Sequence, residues 1–107
     1  VLGVAYKKDV NDYRESPTLP ILELLEKLMV DWQVVDPFVK EFYFNGNLRY
    51  TTKNVTEEML ETADLVLITT NHSNFDYKKI AEHARLIFDT RNAVPKKFIS
   101  KENYYKL

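Results

Sequence analysis

Apolar residues in this chain fall into short unbroken runs, interrupted by one longer stretch with helical spacing. Val1-Leu2-Gly3-Val4-Ala5 is the first run and predicts a buried strand. Leu65-Val66-Leu67-Ile68-Thr69-Thr70 is the strongest, continuous enough to predict a strand covered on both faces. Leu86-Ile87-Phe88-Asp89 predicts another, and Trp32–Val35, ended by the turn pair Asp36-Pro37, predicts a fourth. Between the first and the fourth, Leu19, Leu22, Leu25, Leu28 and Met29 recur at spacings of three and four, with Ile21 and Leu24 alongside. That is the wide apolar stripe of a helix packed on a sheet. Ser16 offers an N-cap hydroxyl and Pro17 suits the first helical position. Pro20 predicts an irregular first turn, because it would forfeit an early helical hydrogen bond.

Thr56 and Asp76 are placed to cap two further helices, through about Thr62 and His83, with Ile80 and Ala84 facing inward. Glu57 and Glu58 suit the positive end of the first of these. Phe38 to Arg49 is rich in aromatics and holds the turn signal Asn45-Gly46-Asn47. It predicts a helical turn or loop, then a short strand around Leu48–Thr52. The tail from Pro95, with Lys96, Lys97, Lys101 and Tyr104-Tyr105, predicts an edge strand or a helix. Strands and helices alternate throughout. The fold class is therefore α/β: a three-layer, Rossmann-like open sheet, mostly parallel, with helices on both faces, in a single domain over residues 1–107.

Open sheets of this kind bind ligands at the carboxyl ends of their strands. Three polar segments fall there: Tyr6–Ser16, Asn71–Phe75 and Asp89–Asn92. The first is long and highly charged for a strand-to-helix connection, which is usually about 2–6 residues. Lys7 lies just past the first strand, where phosphate or carboxylate would meet a helix N-terminus. Lys8 reads as a surface charge. Arg14 stands between Asp12 and Glu15, so an internal ion pair and a ligand contact are both open. Arg91 is open in the same way, between a bidentate grip on a diphosphate and a pair with Asp89. Asp36 resembles the ribose-binding acid of a dinucleotide site, but its Pro37 turn favours a structural role. Tyr6, Tyr13 and Phe75 are candidates to stack on a base, with core packing expected for at least one. His72 is close enough in sequence to reach the rim, and His83 is expected on a helix surface.

The dinucleotide fingerprint G-x-G-x-x-G is absent, since no glycine follows Gly3 until Gly46. The chain has no Cys, which removes a disulfide scaffold, a Cys metal site and a Cys nucleophile from these 107 residues. His72 and His83 have no carboxylate at ligand spacing, so no metal site is expected. A formal net charge of -1 gives no bulk attraction to nucleic acid or an anionic membrane. No apolar run approaches the roughly 20 residues that span a bilayer, and no export signal is visible, so the expected location is cytoplasmic.

Leu2-Gly3-Val4-Ala5-Tyr6-Lys7-Lys8-Asp9, then Asp12, then Arg14-Glu15-Ser16-Pro17, resembles the opening of the C-terminal domain of the UDP-glucose/GDP-mannose dehydrogenase family. Asp36-Pro37, Ala63-Asp64 and Asp89-Thr90-Arg91-Asn92 follow in the order that family shows. The resemblance implies an enzyme that oxidises the C6 alcohol of a nucleotide sugar to a carboxylate. It uses two NAD molecules and a thioester on a catalytic Cys. It implies an N-terminal NAD-binding domain and a central helical domain outside this chain, which would hold the Cys, and a homodimer. The chain begins inside a strand without an initiator Met, as expected of a domain cut from a longer protein. Alone it is expected to be inactive. Residue by residue, the resemblance implies that Lys7 meets the UDP-sugar, with Tyr6 lining the same pocket. It implies that Arg14 reaches toward NAD, and that Arg91 binds the sugar nucleotide, in family dimers often in the neighbouring subunit's site. Asn71-His72-Ser73, Phe75-Asp76 and Asp89–Asn92 look most like the branch acting on UDP-N-acetylglucosamine or related UDP-N-acetylhexosamines, with UDP-glucose the other option. A reading from a different class remains: a non-catalytic α/β module that binds a nucleotide or a protein.

Overall fold

The computed structural model describes residues 1–100 and 102–107; Lys101, in the expected tail element, lies outside the described residues. The regular elements are α1 (Thr18–Lys27), β1 (Glu41–Phe44), β2 (Asn47–Tyr50), α2 (Glu57–Thr62), β3 (Val66–Ile68), α3 (Tyr77–His83), β4 (Ile87–Asp89) and β5 (Tyr104–Lys106). β3, β4 and β5 form a parallel sheet in that order. Single parallel bridges carry it onward, from Ile68 to Leu2, from Leu2 to Val35 and from Val35 to Thr52.

The expected strands at Val1–Ala5 and Trp32–Val35 are thus extended segments joined by short ladders. Leu2 N–H donates to Leu67 O at 2.7 Å, and Gly3 N–H to Val35 O at 2.9 Å. In space the rows run Thr52, Val35, Leu2, β3, β4, β5. The chain builds outward one way from Leu2, then returns and builds the other way from β3. The order reverses between Leu2 and β3, which makes that gap the topological switch point.

Two apolar clusters cover the two faces. Leu22 of α1 packs with Val4, Ala5, Val34, Val39, Phe42 and Phe44. Leu60 of α2 and Ile80 of α3 pack with Leu2, Val35, Val66, Ile68 and Ile87. Val34 and Val35 enter opposite clusters, as neighbours in extended chain must. Leu2 and Val4 also enter opposite clusters, although two residues apart, because Gly3 between them has φ +100° and breaks the alternation.

Several local expectations change. The short strand expected around Leu48–Thr52 is β2, one residue earlier at its start, but the segment before it is not a helical turn or loop: it is β1, and the two make an antiparallel hairpin closed by Asn45-Gly46. Both turn residues have positive φ, 51° and 78°, the geometry Asn-Gly favours in a tight hairpin. The stripe on α1 stops early. Leu28 ends the helix and Met29 leaves it at φ 59°, so both are exposed, with Leu24 and Val30. Pro20 causes no irregularity, because it sits in the first turn, where a backbone N–H has no helical acceptor in any case. The tail forms an edge strand, β5.

α2 and α3 are capped by Thr56 Oγ1, accepting from Met59 N–H at 3.2 Å, and by Asp76 Oδ1, accepting from Lys79 N–H at 3.1 Å. They are also tied by His83, whose Nδ1 lies 3.0 Å from Glu61 and whose Nε2 lies 3.4 Å from Glu57. The Glu61 hydrogen bond raises the His83 pKa above its ordinary value, against a smaller effect of burial. A raised folded-state pKa gives stability that is full below the unfolded value and is lost as pH rises through the folded value. The gap in melting temperature between the wild-type chain and His83→Gln is therefore expected to narrow from about pH 6 to about pH 8. A gap that does not change with pH would refute the linkage.

Candidate functional site

The switch point is held open by a close backbone approach. A Cβ on Gly3 would lie 2.2 Å from Thr70 Cβ, so the two strands meet with no room for a side chain. Carbonyls that lose regular ladder partners there are taken up by hydroxyls. Thr69 Oγ1 donates to Gly3 O at 2.6 Å and Thr70 Oγ1 to Ala5 O at 3.1 Å. Thr18, at the start of α1, donates to Gly3 O at 3.3 Å, and Ser16 donates to Ala5 O at 3.4 Å while accepting from Thr18 N–H. Ser16 thus does act on the start of α1, and its hydroxyl also anchors the helix to the strand end.

The loop from Tyr6 to Ser16 folds back on itself, with Tyr6 N–H donating to Asp12 O at 2.7 Å. Asp9 and Glu15 both adopt positive φ, 62° and 60°, a conformation that costs a non-glycine residue and persists only where contacts hold it. The contacts at Asp9 are specific. Its N–H donates to His72 Nδ1 at 2.8 Å, and its carboxylate accepts from Ser73 N–H at 2.8 Å and Ser73 Oγ at 2.6 Å. The Ser73 hydroxyl and amide hold the Asp9 carboxyl below its usual range. The first two rim segments are thereby locked together. The third follows β4, which pairs with β3 at Ile68 and Asp89.

His72 does not reach the rim. It is fully buried beneath it, between the rings of Phe38 and Phe75 at 4.8 and 5.4 Å. Its Nε2 lies 3.0 Å from Asp36 Oδ2. Asp36 is buried too, and it accepts from the N–H groups of Val4, Ala5, Phe38 and Val39. Burial pushes its pKa up, but the His72 bond and the backbone N–H groups outweigh that and hold it below the usual value. The structural role expected for Asp36 extends well beyond its own turn: one carboxylate joins the Leu2 segment, the Pro37 turn and the loop after β3.

Each expected site residue now has a place. Lys7 and Lys8 are exposed on the first loop, and Lys7 has no ion pair among the described residues. Tyr6 is about half exposed beside it. Arg14 forks onto Asp12, with Nε at 3.0 Å and Nη2 at 2.9 Å, and this lowers the Asp12 pKa to about 2. The pair is open to solvent, so it is weak and easily exchanged for another anion. Arg91 does not pair with Asp89. The Asp89 carboxylate instead accepts from the N–H groups of Arg91, Ala93 and Val94 and from Tyr104 Oη, which leaves the Arg91 guanidinium exposed without an ion partner among the described residues. Tyr13 is drawn into the core against Phe42, and Phe75 is buried against His72 and Tyr77. Only Tyr6 of the three aromatics stays available at the rim.

Tyr6, Asp12, Arg14 and Glu15 line a concavity of about 380 Å³ at this edge. A larger groove, about 670 Å³, lies at the opposite end of the sheet, among Leu25, Trp32, Val55, Met59 and Leu65. Its walls are mainly apolar and it lacks the rim's cations. Asn71 Oδ1, directly after Thr70, is buried with no hydrogen-bond partner among the described residues. The roles of Asp9, His72 and Ser73, and the reach of Asp36 beyond its own turn, were hidden in the sequence, because each depends on partners more than 30 residues away.

The chain is 28% identical over 102 residues to the UDP-N-acetyl-D-mannosamine dehydrogenase of Methanococcus aeolicus, covering 88% of the chain and 22% of that protein. It is 31% identical over 106 residues to YtcA of Bacillus subtilis, provisionally named a UDP-glucose 6-dehydrogenase, covering 92% of the chain and 24% of that protein. The solved structure of the UDP-N-acetyl-mannosamine dehydrogenase Cap5O from Staphylococcus aureus superposes with a TM-score of 0.69 at 32% identity, over 98% of this chain and 24% of that one. The chain spans about a quarter of the length of these relatives. Residues 1–96 match the UDP-binding domain of the UDP-glucose/GDP-mannose dehydrogenase family, and the chain belongs to that family.

Proposed function

We propose that this chain binds the UDP-sugar in an NAD-dependent dehydrogenase that oxidises the C6 alcohol of a UDP-hexose to the uronate. The observation that carries the proposal is the pair of exposed cations, Lys7 and Arg91, without ion partners among the described residues, Lys7 past the carboxyl end of the Leu2 row at the switch point and Arg91 past that of β4, one row beyond β3. A diphosphate supplies the matching charge, and Arg suits its geometry bidentately. Tyr6 offers a face beside Lys7, and the buried, unpaired Asn71 Oδ1 leaves an acceptor for a ligand donor. The substrate class favoured is a UDP-N-acetylhexosamine. The names of several relatives carry UDP-N-acetyl-D-mannosamine, which shifts the emphasis within that class away from the glucosamine epimer. UDP-glucose is the runner-up, supported by YtcA.

The residues present do not form an NAD cradle by themselves. The space over Gly3 is filled by Thr70, and the loop that follows contains no glycine. NAD is therefore assigned mainly to residues outside this chain, with Arg14 exchanging Asp12 for it. The reacting groups are assigned to the same missing part, and the complete enzyme is assigned as a cytoplasmic homodimer. The 107-residue chain alone is expected to bind UDP without turning over UDP-sugar.

Calorimetric titration tests this. Lys7→Ala and Arg91→Ala are each expected to weaken UDP about tenfold, the size of one charge-assisted hydrogen bond, and to leave the weaker binding of uridine unchanged. Unchanged UDP affinity in both variants, or equal losses for uridine, would refute the assignment to the diphosphate.

A further inference from the structure

We propose that His72 is the positioning residue of the UDP-sugar site: its Nδ1 holds the Asp9 N–H and so fixes the loop that carries Lys7. The proposal rests on the functional reading above, but part of its test does not.

His72 is fully buried, and each ring nitrogen has one partner. Nδ1 faces an N–H donor, so it must accept. Nε2 faces the Asp36 carboxylate, so it must carry the proton. Asp36 thereby selects the tautomer, and its own fixed place among four backbone N–H groups keeps the ring from turning. Asp9 lies two residues beyond Lys7 and adopts φ 62°. Without an acceptor for its N–H, that strained backbone would relax, and the Lys7 ammonium would sample many positions. Ser73, the residue after His72, grips the Asp9 carboxylate, so the loop is held from both sides of one peptide. An apolar side chain in the same space would fill the gap between Phe38 and Phe75 but leave the Asp9 N–H unanswered.

Two substitutions separate this role from packing. His72→Asn places a carbonyl oxygen near the Nδ1 position and gives up the contact with Asp36. His72→Gln places an amide nitrogen near the Nε2 position and leaves the Asp9 N–H without an acceptor. Both lose the ring. His72→Asn is expected to bind UDP within about twofold of the wild-type chain, whereas His72→Gln binds about tenfold more weakly and exchanges its Asp9 amide proton about tenfold faster. Equal behaviour of the two variants in both readouts would overturn the proposal. A wild-type measurement covers the case in which neither variant folds. Nuclear magnetic resonance should show a coupling across the hydrogen bond between the Asp9 amide nitrogen and His72 Nδ1, and its absence would also overturn the proposal. If the wild-type chain does not bind UDP at all, the functional reading fails, while amide exchange and the coupling still decide the role of His72.

Discussion

Gly3→Ala is expected to cost about 4 kcal/mol, combining left-handed backbone strain with overpacking, and so to remove much of the stability of a domain this size. The added Cβ would meet Thr70 Cβ at 2.2 Å and Thr70 N at 2.8 Å, and the second of these is backbone that cannot swing away. The φ of +100° adds strain whatever the space. Gly46→Ala is the control. It also has positive φ, 78°, but nothing lies within 4 Å, so the loss should be only about 1 kcal/mol. Urea denaturation of the two variants reads the difference. Similar losses at both positions would show that the close approach of Leu2 and β3 is not what Gly3 serves.

Asp36→Asn is expected to cost about 3 kcal/mol, in the range for breaking a buried charge network by changing one partner. The shape is kept, but the new amide group must face N–H donors that now point at an oxygen. One pair, from Val4 and Ala5 or from Phe38 and Val39, loses its acceptor. The pH dependence follows from the lowered pKa of Asp36. Its contribution is full above the unfolded value of 3.8 and is lost as pH falls through the folded value. Thermal melts of the wild-type chain should therefore converge on those of Asp36→Asn as the solution is acidified below that range. A constant gap would mean that the carboxylate charge is not the stabilising feature.

The alternation of strand and helix, the caps at Thr56 and Asp76 and the start of α1 at Ser16-Pro17 were legible because each is local: a hydroxyl or carboxylate a few residues from the N–H it answers. The first strand of the β1–β2 hairpin was equally local and was misread as a helical turn or loop. Asn45-Gly46 marks it, and Phe42 and Phe44 point inward while Glu41 and Tyr43 point out, but aromatic density masked the period of two. The overlong stripe on α1 has the opposite cause. Leu28 and Met29 keep helical spacing after the backbone has left the helix, and the spacing of apolar residues does not record a change of φ. At the rim, the Arg14–Asp12 pair was one of two readings that two residues of separation allowed. That Arg91 has no ion partner among the described residues depends on three backbone N–H groups and Tyr104 occupying Asp89 first. The Asp36–His72–Asp9 connection spans the Pro37 turn, the loop after β3 and the first loop, and no short stretch of sequence encodes it.

We assign the nucleotide sugar to the switch-point rim and not to the larger groove at the other end of the sheet. The most direct measurement is a map of backbone amide shifts as UDP-N-acetylmannosamine is added to the 107-residue chain. The shifts are expected to cluster at Tyr6–Asp9, Asn71–Ser73 and Thr90–Asn92, on the three loops beyond the strand ends. Shifts centred instead on Trp32, Val55, Met59 and Leu65, which line the groove of about 670 Å³, would move the binding site away from the rim.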